Sequence, residues 1–234
     1  MFSILLLAAV AITVSWFACA VRDGFRDRSY AVPASAICFA FSVDVSVAAG
    51  SYDRWFPSVP MWVLGSVFVI PDVLLICQVL AYGPKDFPRI TPKAFRWMFL
   101  IAMALGAGAA PVLSRSLHDT HGVYAAVAAI LVVSVCYPVM LYNRGSVQGQ
   151  SVTVASLWLL LTVIAPNTFF LAPPEFRLTD RWLLGYMGAV STILASSYLI
   201  AVILLRAGKI QFRGRVHACT AKPSGSAPQG PLSM

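Results

Sequence analysis

The sequence predicts an all-α protein, a bundle of seven transmembrane helices with the N-terminus outside and the C-terminus in the cytoplasm. Three observations predict it. The chain is 59% hydrophobic and only 11% charged, with a mean hydropathy of +0.79, whereas soluble domains carry about 45–50% apolar and about 25% charged residues. The apolar residues gather in runs of roughly 20, the length a helix needs to cross hydrocarbon. Those runs do not alternate, so they are helices rather than barrel strands, the only other structure that satisfies its backbone in lipid.

The expected spans are residues 2–21, 30–50, 61–82, 97–113, 123–142, 151–172 and 182–205. The first carries Ala18-Cys19-Ala20, similar to a signal-peptide cleavage site, but it has no basic segment ahead of it and is read as a retained span. In the third, Pro71 predicts a kink that frees a carbonyl beside Asp72. The fourth is the shortest and holds Gly106 and Gly108, suited to close helix packing. Residues 1–206 form the membrane domain, and 207–234, basic and then rich in Pro, Gly and Ser, read as a disordered tail.

Charge placement sets the orientation. Arg54, Arg115, Arg177 and Arg181 lie in the loops of one side, and the remaining 13 of the 17 Lys and Arg residues lie on the other side or in the tail. Basic residues collect on the cytoplasmic side, which places the protein as a multi-pass protein of the cell membrane. The net charge of +8 therefore reads as topology. It forms no aromatic-flanked basic run of the kind that binds nucleic acid.

Several chemistries lack their motifs. The five cysteines show no CxxC spacing, and four of them sit inside apolar runs as small packing residues. No Asp-rich pair is present to hold Mg²⁺ on a diphosphate, and no glycine pattern to cradle a nucleotide, so no metal or cofactor is expected. The last span has no mid-helix Lys for a retinal Schiff base, since Lys209 lies beyond it. His118, Asp119 and His121 read as a short polar loop rather than a metal site.

Two of the nine acidic residues do not sit in loops or at helix ends: Asp44, in FAFSVDVSVAAG, and Asp72, in FVIPDVLLICQ. A charged side chain at the bilayer centre costs at least ~2.5–3.5 kcal/mol, so such residues face the bundle interior and mark function. No Lys or Arg lies at the same depth, and burial without a cation favours the uncharged acid. A neutral carboxylic acid in an apolar pocket is a proton donor. The same residue is equally explained as helix-to-helix glue, and for Asp72 the neighbouring proline favours that explanation. Aromatic residues are plentiful in the spans, Phe41, Trp158 and Tyr198 among them. They serve as packing, as interfacial belts or as ring faces turned to a cation.

Three stretches, in order along the chain, resemble the integral-membrane terpene cyclases of fungal meroterpenoid and indole-diterpene pathways and their bacterial relatives. The first is Arg26-Asp27-Arg28-Ser29-Tyr30 running on to Asp44, similar to an RDRTYG-like segment followed by the family's catalytic Glu. The second is Asp72 followed by Ala81-Tyr82-Gly83-Pro84, and the third is Arg144-Gly145-Ser146-Val147-Gln148-Gly149-Gln150-Ser151, close to an RGSxRGxS loop. The family's Asn and Trp before its Glu are Ala40 and Val43 here, and its second acid, three residues before a Tyr, is Ala195 before Tyr198. The resemblance implies a proton-started cyclisation of an isoprenoid or prenylated aromatic substrate, with or without an epoxide. Asp44 would be the acid, Asp72 its partner, and Phe41, Trp158 and Tyr198 would face the substrate. Without that second acid, at Ala195, a heptahelical carrier binding a proton or polar ligand at the aspartates, or a purely structural membrane protein, are the alternatives.

Overall fold

The computed structural model describes residues 1–56, 59–176 and 178–210, so the tail expected to be disordered lies, from residue 211 on, outside the described residues. Among the described residues there are eight α-helices: α1 (Phe2–Arg26), α2 (Ala34–Ala48), α3 (Met61–Tyr82), α4 (Pro92–Gly106), α5 (Ala109–Ser116), α6 (Val123–Arg144), α7 (Val152–Phe170) and α8 (Arg181–Arg206). Short 3₁₀ turns occupy Gly83–Asp86 and Pro174–Phe176. Among the described residues, helices account for the fold, and six stretches are long and apolar enough to cross a membrane, with α2 as a shorter apolar helix. It is a helical, multi-pass membrane architecture.

Two of the expected spans change on folding. The fourth starts earlier, because Thr91 caps α4 by accepting from the Ala94 N–H and Pro92 occupies the first helical turn. It then breaks between Gly106 and Ala109. The Ser42 hydroxyl of α2 enters the break, donating to the Ala107 carbonyl (2.8 Å) and accepting from the Ala110 N–H (3.2 Å). A side chain inserted into the backbone ladder is a recognised cause of a kink. Gly106 suits the site, since a Cβ there would come within 2.6 Å of the Cys38 carbonyl oxygen.

The second span is trimmed to the 15 residues of α2. Pro33 starts it, and Gly50, at φ +67°, lies just beyond its end. At 1.5 Å per residue the helix is about 22 Å long, short of the ~30 Å hydrocarbon core. Its neighbours make up the difference. α2 packs on α3, α4, α5 and α6, so along its length it lies largely among protein neighbours, the condition under which irregular backbone is tolerated at membrane depth.

The helices adjoin in a closed circuit, α1 to α3, α3 to α2, α2 to α6, α6 to α8, α8 to α7 and α7 back to α1, with α4 and α5 outside α2. Small residues set the closest approaches. At Gly65 of α3 a Cβ would collide with the backbone of Ala48 in α2. This contact holds the helix carrying Asp44 against the helix carrying Asp72. Gly65→Ala is expected to cost about 1–3 kcal/mol through overpacking, read as a lower melting temperature of the purified protein in detergent; an unchanged melting temperature would show that α2 shifts freely.

Candidate functional site

Asp44 lies in the last turns of α2 and Asp72 at the middle of α3, one residue after Pro71. Both line a single internal cavity with about 930 Å³ of unfilled space, mouth included. Asp72 is 2% exposed, while Asp44 is half-buried and borders the cavity directly. Their carboxyl groups adjoin closely enough to hydrogen-bond to one another. Yet Asp72 Oδ2 finds no donor among the described residues. A carboxylate pair has no hydrogen to share, and two adjacent charges in an apolar chamber repel. One shared proton removes both penalties.

Apart from this pair and Thr13, whose hydroxyl donates to the Ala9 carbonyl (2.8 Å), the wall is apolar or aromatic, and among the described residues no Lys, Arg or His lines it. Trp16 and Phe17 of α1, Phe68 of α3 and Trp158 of α7 form a connected aromatic face. Ring centroids are 4.9 Å apart for Trp16–Trp158, 4.9 Å for Trp16–Phe17 and 6.4 Å for Phe17–Phe68. The Trp158 N–H is taken by the Ser134 hydroxyl at 3.0 Å, which fixes the ring against α6.

The cavity occupies the half of the bundle nearest the chain's start, between the first turns of α1 and α6 and the last turns of α7. Trp55 closes that end. Its N–H donates to the His121 carbonyl (2.6 Å), and its ring meets Phe169 edge-on at 5.3 Å. Behind it His121 stacks on Phe176 at 4.3 Å, and burial pushes the imidazole below its ordinary range. The Asp119 carboxylate accepts from the N–H groups of Val123 (2.9 Å) and Tyr124 (2.7 Å), capping α6. Burial raises its pKa, and the backbone N–H groups partly offset the rise. The HDTH stretch thus shapes a lid-end loop. Among the described residues no group of three or more His, Cys, Asp or Glu side chains is placed to hold a metal ion.

Of the five residues singled out in the sequence, Asp44, Asp72 and Trp158 meet at the cavity. Phe41 and Tyr198 are not on its wall. Tyr198 is fully buried in the layer behind Trp158, stacked on Tyr137 at 4.5 Å, with its hydroxyl donating to Gln150 Oε1 at 3.1 Å. Ala195 is buried and likewise off the wall. Conversely Ala40 and Val43, the two departures from the cyclase pattern beside Asp44, both line the chamber. Sequence reasoning did not single out Trp16, Trp55, Phe17 or Phe68. Trp16 and Phe17 are two of several aromatics in apolar spans, and only the helix circuit selects which of them face inward.

The stretches that carry the cyclase resemblance converge at the opposite end of the bundle. Arg144 Nε pairs with Asp86 Oδ2 at 2.6 Å, and Nη1 donates to the carbonyls of Tyr30 (3.0 Å) and Gln148 (3.3 Å). Its guanidinium lies over the Tyr30 ring at 3.8 Å. Asp27 Oδ2 accepts from the Gly149 N–H at 3.0 Å, and the Arg26 guanidinium beside Asp27 holds that carboxyl below the usual range. Gln78, fully buried, ties α3 to the Val21 carbonyl (2.8 Å) and the Ala31 N–H (3.3 Å). These residues form a clamp. They join the 27–33, 83–86 and 145–151 segments, well away from the carboxyl pair. No family model, curated protein or solved structure matches this chain.

Proposed function

We propose that the protein is a membrane-bound, metal-independent terpene cyclase that opens its reaction by proton transfer from Asp44. One observation carries this reading: two adjacent carboxyl groups, without a cation, on the wall of a chamber that is otherwise apolar and aromatic but for Thr13. The Asp44 O–H delivers its proton to an epoxide oxygen or a terminal alkene of a prenyl chain. The cation so formed adds successive double bonds and closes rings. The last cation loses a proton from carbon to the carboxylate pair, which restores the acid, so product and substrate have the same mass. Asp72 hydrogen-bonds Asp44 and returns the proton to it. Trp16, Phe17, Phe68 and Trp158 supply ring faces to the intermediates, worth ~0.5–2 kcal/mol each, and the apolar wall disfavours water that would quench them. In this reading the bundle crosses the cell membrane seven times, with α2 as the short crossing, the N-terminus outside and the clamp end in the cytoplasm. The substrate, an isoprenoid or prenylated aromatic, reaches the chamber from lipid.

The test is incubation of membranes containing the protein with farnesyl- and geranylgeranyl-substituted aromatics, plain and epoxidised. Cyclic isomers of unchanged mass are expected, and none with any of the four would overturn the reading. Asp72→Asn is expected to retain part of the activity, since an amide still hydrogen-bonds Asp44; complete loss would make Asp72 the principal acid. A second reading, a carrier that binds a proton or polar ligand at the aspartates, draws on Ala195, which leaves the carboxyl pair without the further acid of the cyclase pattern. It predicts Asp44-dependent binding without turnover.

A further inference from the structure

A second concavity lies at the clamp end, between the start of α2, the 83–90 segment and the end of α6, with about 1810 Å³ of unfilled space, mouth included. Its lining changes character along α6. Cys136, Val139 and Met140, spaced to share a helix face, form an apolar strip. One turn on, Asn143 and Arg144 continue it as a polar end, which Ser35 and Arg89 also line, with Asp86 as its one acid. We propose that this groove binds a membrane phospholipid, its phosphate at the N-terminus of α2 beside Arg89 and Arg144 and an acyl chain along the α6 strip.

Two independent features point to the phosphate. α2 begins without a side-chain cap or an acidic residue in its first turn. The Pro33 carbonyl takes the N–H groups of Ala36 and Ile37, and among the described residues the amides of Ala34 and Ser35 meet no acceptor, leaving the donors that helix starts offer to anions. Separately, Arg144 is 7% exposed and lines the groove, and its Nη2 has no acceptor among the described residues. A buried guanidinium nitrogen without an acceptor is a vacancy for a charge-assisted hydrogen bond. Asp86 is already engaged by Arg144 Nε, and Arg89 adds a second positive charge at the rim. The apolar strip decides between a free anion and a lipid, since inorganic phosphate has no use for it. This assignment does not depend on the cyclase reading.

The experiment uses the full chain purified in an uncharged detergent, titrated with dihexanoyl-phosphatidylglycerol, dihexanoylglycerol or inorganic phosphate while the melting temperature is followed. Phosphatidylglycerol is expected to raise it saturably, with the other two having little effect at the same concentration. Arg89→Gln should weaken the phosphatidylglycerol response at least tenfold. Ser35→Asp, which places a carboxylate at the helix start, should abolish the response while raising the melting temperature of the lipid-free protein. The proposal is overturned by an unsaturable response, by equal stabilisation from the phosphate-free glyceride or from inorganic phosphate, or by an unchanged response in both variants.

Discussion

Asp44→Asn is expected to lower cyclisation turnover by about 10³-fold, the middle of the ~10²–10⁴ range that a positioned acid or base contributes, while the protein inserts and melts as the parent does. The substitution keeps the shape of the side chain and its ability to hydrogen-bond Asp72, and removes only the transferable proton. The Asp44 carboxyl meets no salt-bridge partner among the described residues, so neutralising it leaves no cation stranded. Product formation in membranes, measured beside the melting temperature of the purified variant, separates chemistry from folding. Full turnover in Asp44→Asn would remove the acid from its role.

Arg144→Gln should do the reverse. The arginine is buried against Asp86, two backbone carbonyls and the Tyr30 ring. Its loss leaves Asp86 without its cation and the Tyr30 carbonyl without its donor. Removing one partner of a buried pair costs ~3–5 kcal/mol, and because Asp86 keeps 27% of its side-chain exposure we expect about 2–4 kcal/mol. The melting temperature should fall by several degrees, and turnover per folded molecule should hold, since the clamp is remote from the cavity. A variant that melts normally would show that the pair contributes no net stability.

These two residues also mark what the sequence made legible. The spans were readable because lipid imposes a length and a composition, and Asp44 and Asp72 stood out because each is a carboxyl inside an apolar run. That they adjoin was not readable, since it depends on Gly65 admitting Ala48. The division between α4 and α5 was equally hidden: its cause, the Ser42 hydroxyl, sits some 65 residues earlier in the chain. Phe41 and Tyr198 could not be told from Trp16 and Phe68 by sequence, because an apolar helix in lipid has aromatics on every face. The three cyclase-like stretches were visible as motifs, but only the fold places them together as a clamp.

The shortness of α2 bears on how the protein is made. A 15-residue helix with polar Ser35, Ser42 and Asp44 is a poor candidate for the bilayer by itself, while α3 is longer and strongly apolar. The two are neighbours in the chain and packed through Gly65, so their natural unit of insertion is the hairpin, in which each aspartate meets the other before either meets hydrocarbon. Insertion and the candidate site then draw on the same pairing of acids, and a variant that loosens it, such as Gly65→Ala, should insert less efficiently as well as melt lower.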